Sequence, residues 1–122
     1  MKKLILLCFI FFITSGIQAQ SYEIVGKDTV NMIDIHNYKT GKWIVRGYQK
    51  KHTCFKREQI IEEGKYVNNR KDGVWTEYHC NSNVRSKLTY LNGVLDGNAV
   101  FYDEKGKVIK EGAFKDNKWV KP

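Results

Sequence analysis

Short runs of alternating apolar and polar residues fill the chain from residue 60 onward, and clusters of Asn, Asp and Gly separate them. Aromatic and β-branched residues favour strands, whereas Asn, Asp and Gly favour turns. No stretch after Ala19 shows a helical period, and the single proline stands at position 122. The pattern predicts an all-β fold, a meander of stacked antiparallel β-hairpins. Its strand-like runs are EEGKYV (62–67), VWTEYH (74–79), SKLTYL (86–91), NAVFYD (98–103) and VIKEGAF (108–114).

The chain also repeats itself at a spacing of about twenty-four residues. KTGKWI (39–44) matches KDGVWT (71–76) at an offset of thirty-two, which is one period plus an insertion of eight residues within 46–59. Such self-similarity indicates stacked units, each of which buries its apolar face against its neighbours. The recurrent positions are Tyr66, Tyr90 and Phe114; Gly73 and Gly97; Asp72 and Asp96; Tyr78 and Tyr102; Gly64 and Gly112; Gly41 and Gly73; and Trp43 and Trp75, with Trp119 in a shortened last unit.

The recurrent aromatic residues and glycines have a packing explanation. Hairpins in register would align Tyr66, Tyr90 and Phe114 as an aromatic ladder across the sheet. Gly64 and Gly112 each precede one of these rings by two residues, so they share its strand face. The missing Cβ would let a neighbouring ring lie flat against the backbone. We therefore assign these positions a structural role.

Two Asp-Gly pairs are expected to form the turns of successive units. Asp72–Gly73 and Asp96–Gly97 have the composition of tight turns, in which glycine adopts a positive φ. The lysine side chains at these turns would then lie at repeated positions along the edges of the sheet.

The first nineteen residues have the composition of a cleaved secretory signal peptide. Lys2 and Lys3 precede an apolar run over residues 4–13, and a cleavage site follows Ala19. The run is shorter than the roughly 20 residues of a membrane-spanning helix. Cys8 lies inside the run rather than after it, which argues against a lipoprotein. The sequence therefore predicts export to the periplasm or the extracellular space, a linker over residues 20–30 and a repeat domain over residues 31–122.

The charge balance is basic. Removing Lys2 and Lys3 with the signal peptide lowers the formal net charge from +8 to +6. A basic surface favours anionic partners such as lipid headgroups, acidic glycans or nucleic acid, although a moderate charge also simply keeps a small domain soluble. Outside the cytoplasm nucleic acid is the least available of these partners. The strict spacing of the aromatic residues also assigns them to packing rather than to base stacking.

Two cysteines, Cys54 and Cys80, remain after removal of the signal peptide, and an oxidising compartment permits a disulfide. In simple register, a long strand from Cys54 to Tyr66 would separate the two Cα atoms by more than the roughly 7 Å that a disulfide tolerates. A folded-over insertion would close that gap. The pairing therefore stays open at this point.

The side chains that carry chemistry form no catalytic or metal-binding pattern. Glu62 and Glu63 are adjacent and would face opposite ways on a strand, as would His79 and Cys80. There is no Ser/His/Asp or Cys/His arrangement and no glycine-rich phosphate loop. The sequence predicts a protein that is not an enzyme and holds no metal or cofactor. The residues considered and rejected as zinc ligands are His52, Cys54, His79 and Cys80.

The repeat resembles the MORN-type repeats of bacteria, in the variant form labelled YwqK-family antitoxin. The resemblance covers most of the chain from about Asn31 onward and implies stacked β-hairpins without catalytic residues. Relatives are linked to scaffolding, membrane-lipid contact and, by label, toxin neutralisation. The insertion after Trp43 and the shortened unit at Trp119 depart from the pattern. The segments that carry the resemblance are GKWI (41–44), EEGKYVNNRKDGVWTEY (62–78), LTYLNGVLDGNAVFYDEKGK (88–107) and KEGAFKDNKWV (110–120).

Two functional hypotheses follow. The first is an exported, non-enzymatic module that binds another protein as a scaffold or neutralising partner. The alternative is binding of anionic lipid or glycan at the cell envelope through basic turns. Open sheet edges are also compatible with an edge-to-edge homodimer. The candidate binding residues are Arg70, Lys71, Lys115 and Lys118.

Overall fold

The described part of the chain, residues 19–51 and 53–121 of a computed structural model, consists almost entirely of β-strands. The segment assigned to the signal peptide lies outside the described residues up to position 18, as do His52 and Pro122. The elements of the described part are β1 (Ala19–Val25), β2 (Asp28–Asp34), β3 (Lys39–Arg46), a 3-10 turn (Gly47–Gln49), β4 (Ile60–Val67), β5 (Arg70–Tyr78), β6 (Val84–Leu91), β7 (Val94–Tyr102), β8 (Val108–Lys115) and β9 (Lys118–Val120).

The strands form a single antiparallel sheet whose spatial order follows the chain order from β1 to β9. This arrangement confirms the predicted all-β meander. Three connections, after β4, β6 and β8, are two-residue turns in which both residues have positive φ. Paired left-handed residues give turns whose twist matches that of the flanking strands. The turn residues are Asn68 and Asn69, Asn92 and Gly93, and Asp116 and Asn117.

The Asp-Gly pairs expected to form turns lie inside strands instead. Asp72–Gly73 belongs to β5 and Asp96–Gly97 to β7. There the ladder to the preceding strand shifts register, and the φ angles of the two glycines are 77° and 123°. The turn prediction is wrong at these pairs because strand bulges draw on the same residue types as turns.

Residues 20–30, expected to be a linker, are part of the sheet. They lie in β1, in its two-residue turn and in the first half of β2, and Ile24 pairs with Thr29. Val30 is 1% exposed, so this hairpin contributes to the core. The linker prediction is wrong because the segment lacks the repeat spacing yet alternates like a strand.

The main core lies along one face of the sheet, which we call the aromatic face. Cross-strand pairs such as Trp43 with Gly64 and Trp75 with Leu88 place its members side by side. Trp75 is 1% exposed although no second sheet layer covers it within the described residues, because its own neighbours enclose it. The aromatic face comprises Trp43, Gly64, Tyr66, Trp75, Leu88, Tyr90, Ala99, Gly112, Phe114 and Trp119.

Candidate functional site

The rings of the aromatic face pack edge to face. Tyr66 lies between Trp43 and Trp75, with centroid distances of 5.4 and 5.1 Å and interplanar angles of 76° and 79°. Phe114 meets Trp119 in the same way at 5.2 Å. Tyrosine and phenylalanine rings of the expected ladder therefore pack against tryptophans of neighbouring strands, an arrangement that the ring quadrupole favours.

Two glycines of the aromatic face accommodate tryptophan rings. A Cβ on Gly64 would collide with the ring atoms of Trp75, and a Cβ on Gly112 would lie 2.6 Å from Trp119 Cζ2. The Trp75 indole nitrogen also donates a hydrogen bond to the Lys65 carbonyl at 3.0 Å. The glycines therefore set the depth at which each indole rests on the backbone.

Overpacking at this contact should destabilise the domain. We expect Gly64→Val to lower the free energy of unfolding by about 1–3 kcal/mol, because Trp75 must leave its position against the strand. Urea denaturation measures the change. Lys65→Val, which adds a branched residue at the neighbouring exposed position, is the control and should cost about 0.5 kcal/mol or less. Equal midpoints for the two variants would contradict the packing role.

Lysine side chains lie over the same rings. Lys39 Nζ is 5.2 Å from the Trp43 ring centroid and 5.1 Å from that of Tyr66. Lys71 Nζ is 4.3 Å from the Trp75 ring centroid, and Lys110 Nζ is 4.1 Å from that of Trp119. These contacts combine cation–π attraction with coverage of the ring by the lysine stem. These three lysines, which supply part of the basic charge, therefore take part in the packing of the fold.

Two of the four cations predicted to bind a ligand form ion pairs with their own chain. Lys71 Nζ is 3.2 Å from Glu62 Oε2. Lys115 Nζ is 3.0 Å from Asp96 Oδ2, and this hydrogen bond lowers the pKa of Asp96 and raises that of Lys115. Both ammonium groups therefore connect strands of the sheet.

The other two predicted cations lie at the turns. Arg70 Nη1 donates to Asn92 Oδ1 at 3.3 Å, so Arg70 links two successive tight turns. Lys118 is exposed and makes no ion pair with any described residue. The structure does not bring the four candidate cations together at one site.

The cysteines are joined by a disulfide, Cys54–Cys80, with the Cα atoms 5.8 Å apart. The long strand expected between Cys54 and Tyr66 is not formed, since β4 begins only at Ile60. Residues 47–51 and 53–59 instead fold back on themselves, with Gly47 bonded to Gln59 and Cys54 joined to Cys80. Gln59 Nε2 donates to the Cys80 carbonyl at 2.6 Å and to Ser82 Oγ at 2.8 Å. The insertion is thereby fixed to the β5–β6 connection.

A buried ion pair, which the sequence pattern did not reveal, links β1 to β3. The Arg46 side chain is completely buried, and its Nη1 lies 2.9 Å from Glu23 Oε1 and 3.1 Å from Glu23 Oε2. Asn31 Nδ2 donates to the same carboxylate at 3.0 Å, and Asn31 Oδ1 accepts from the Ile44 amide. Glu58 approaches Arg46 Nε only at 3.9 Å. This polar cluster attaches the N-terminal hairpin to the rest of the sheet.

On the face opposite the aromatic residues, Tyr78 donates its hydroxyl proton to Glu63 Oε2 at 2.9 Å. Burial, together with the hydrogen bond to the Glu63 carboxylate and its negative charge, raises the pKa of Tyr78 to about 12. Burial also raises the pKa values of Tyr66 and Tyr90, aided mainly by nearby glutamates. An unfolded tyrosine ionises near pH 10. Tyr78 therefore contributes stability that is full below about pH 10 and is lost as the pH rises toward 12, and Tyr66 and Tyr90 contribute with the same sign.

Removing the carboxylate should lower the pKa of Tyr78 only part of the way. In Glu63→Gln the charge is gone but burial, the larger cause, remains, so we expect a pKa between about 10 and 12. Tyrosinate absorbance followed during alkaline titration measures it. Glu111→Gln, which removes an exposed carboxylate from another strand, is the matched control. A titration of Glu63→Gln identical to that of the control would contradict the assignment.

An exposed aliphatic surface lies on this same opposite face. Val67, Val74 and Leu91 lie on the neighbouring strands β4, β5 and β6, and each is adjacent in sequence to a ring of the aromatic face. Their exposed fractions are 45%, 56% and 60%. We call these three residues the aliphatic surface. Strand alternation turns these side chains away from the core, and Arg70, paired with Val67, supplies polar surroundings.

Residues 19–51 and 53–121 contain neither a metal-ligand cluster nor a membrane-spanning helix. There, no three His, Cys, Asp or Glu side chains converge in a way that could hold a metal ion. Helices of the length and apolarity needed to cross a bilayer are likewise absent from these residues. The chain matches no family model, no characterised protein and no solved structure.

Proposed function

We propose that this protein is a non-enzymatic interaction module that binds another protein through the aliphatic surface. The observation that carries the proposal is the exposure of Val67, Val74 and Leu91 on three adjacent strands. Exposed apolar side chains grouped on one face and bordered by polar residues are typical of protein interaction sites. Isolated exposed aliphatic residues would carry no such meaning.

Charge also favours a protein partner at this surface over an anionic lipid or glycan bound through the turns. Two of the four cations that a lipid or glycan would require, Lys71 and Lys115, are already engaged with Glu62 and Asp96. A protein interface with an apolar centre and a polar rim suits the composition found there.

The proposal extends to the class and the location of the protein. The recurrence of glycines and aromatic residues at about twenty-four positions supports a MORN-like repeat of the antitoxin-labelled variety, with a scaffold or neutralising role. The positively charged, apolar N-terminus supports export, with cleavage after Ala19. An exported module would meet its partner in the periplasm or outside the cell.

The test is affinity capture from an envelope extract with the mature protein as bait. A partner held by the wild type should be lost with Val74→Lys and with Leu91→Lys, which change exposed residues and should leave the fold intact. The control Lys118→Glu should capture it unchanged. Binding that persists in Val74→Lys, or that disappears in moderate salt as an electrostatic contact would, contradicts the proposal.

A further inference from the structure

Two shallow cavities of matching construction lie at the end of the sheet that carries the wider turns. One, the Tyr78 cavity, encloses about 320 Å³, and the other, the Tyr102 cavity, about 310 Å³. The lining residues correspond at the twenty-four-residue spacing of the sequence. The corresponding pairs are Gln59 and Asn83, Ile60 and Val84, Glu63 and Lys87, Tyr78 and Tyr102, and Ser82 and Gly106.

The two cavities differ in charge because one acidic residue is replaced by a basic one. In the Tyr78 cavity the polar groups satisfy each other, since the Tyr78 hydroxyl donates to Glu63. In the Tyr102 cavity Lys87 occupies the position of Glu63, and Lys105 joins the lining. The Tyr102 hydroxyl and the two ammonium groups have no hydrogen-bond or ion-pair partner among the described residues. Three side chains with donor groups therefore line one opening and make no hydrogen bond or ion pair there.

The acidic residues around the Tyr102 cavity form no ion pair with its lysines among the described residues, and this includes Glu104, whose carbonyl accepts from Asn83 Nδ2 at 2.7 Å. Asp103 Oδ1 accepts from the amides of Lys105 and Lys107, each at 2.9 Å, which lowers the pKa of Asp103. Glu63 and Glu111 lie in the cross-strand row of Lys87, each two strands away. Neither carboxylate forms an ion pair with Lys87, and the Glu63 carboxylate already accepts from the Tyr78 hydroxyl. The positive charge of the cavity is thus available to a ligand.

The lining sets the class of ligand. Two lysine ammonium groups and a phenolic hydroxyl supply donors for a carboxylate or phosphate, while the half-buried Tyr102 ring and Val84 supply apolar surface. A volume of about 310 Å³ lies at the small end of ligand pockets and suits a single sugar ring. We propose that the Tyr102 cavity binds a sugar unit that carries a carboxylate or phosphate group.

This site is separate from the aliphatic surface. Val74 and Leu91 lie toward the two-residue turns, whereas Tyr102 ends β7 at the opposite end of the sheet. The sugar site and the protein interface can therefore fail independently of each other.

Titration of the mature protein with glucuronate, glucose 6-phosphate and glucose, followed by NMR or calorimetry, tests the proposal. We expect saturable binding of at least one anionic sugar, with glucose weaker by about tenfold or more because it lacks the charge. Lys87→Glu should weaken binding of the anionic sugar by a similar factor. This substitution reproduces the residue types of the Tyr78 cavity, in which the tyrosine and the glutamate pair, so the variant should fold. A thermal melt verifies that.

Lys118→Glu is the control of equal charge change and should alter the affinity less than about twofold. The anionic sugar that binds more tightly identifies the preferred group as carboxylate or phosphate. Equal weakening by Lys87→Glu and Lys118→Glu would overturn the proposal, since only net charge would then matter. Equal affinity for glucose, or no saturable binding of either anionic sugar, would also overturn it.

Discussion

The Arg46→Met variant is expected to lose about 3–5 kcal/mol of free energy of unfolding. The substitution leaves the Glu23 carboxylate, whose side chain is 8% exposed, buried without its guanidinium partner. An uncompensated buried charge is costly because the carboxylate gives up hydration without an opposing charge. Asn31 alone would remain as a hydrogen-bond donor to it. Urea denaturation followed by tryptophan fluorescence measures the loss.

Removing both charges provides the comparison. The double variant Glu23→Leu with Arg46→Met has no unpaired ion and should recover most of the lost stability, or exceed the wild type by about 1–4 kcal/mol. Lys115→Met, which breaks the exposed pair with Asp96, should cost about 1 kcal/mol or less. If Arg46→Met proved no more destabilising than Lys115→Met, the buried pair would not have the role assigned to it.

Replacing both Cys54 and Cys80 with serine is expected to lower the free energy of unfolding by about 2–4 kcal/mol. The disulfide closes a loop with a sequence separation of 26 residues, so its removal enlarges the conformational freedom of the unfolded chain. The insertion should lose the most local stability, because among the described residues only Gln59 would still attach it to the β5–β6 connection through side-chain hydrogen bonds. Amide hydrogen exchange should therefore accelerate over residues 47–59.

The stability of the reduced wild-type protein is the matched comparison for the double serine variant. Reduced wild type and the double serine variant should unfold at the same urea concentration, below that of the oxidised protein. Mass spectrometry before and after reduction reports the bond itself. Two free thiols in the untreated protein, or equal stability with and without reductant, would contradict the pairing.

The sheet was predictable because its signals are local. Alternation, aromatic content and Asn- or Gly-rich connections act over a few residues, and they indicate the meander from β4 onward. The contact of Gly64 with Trp75 also follows from sequence logic, since a glycine on the face of neighbouring rings leaves room for one of them. Local signals do not separate a turn from a bulge, so the Asp72–Gly73 pair was misplaced.

The features that involve distant segments were not predictable from spacing. The Arg46–Glu23 pair joins residues 23 positions apart, and Glu23 lies in a segment without the repeat. The disulfide depends on how residues 47–59 fold back, which no period describes. The partners of Lys71 and Lys115 likewise depend on register and side-chain direction. The sequence shows that Glu63 and Lys87 occupy corresponding positions of the repeat. Only the structure shows that each of them lines a cavity.

Site-specific photo-crosslinking in cells that make the protein shows directly whether the aliphatic surface contacts another protein. A photoreactive amino acid would replace Val74 or Leu91, and Lys118 in the control. We expect a discrete adduct with one other protein from positions 74 and 91 and none from position 118. Adducts from all three positions alike, or from position 118 alone, would contradict it.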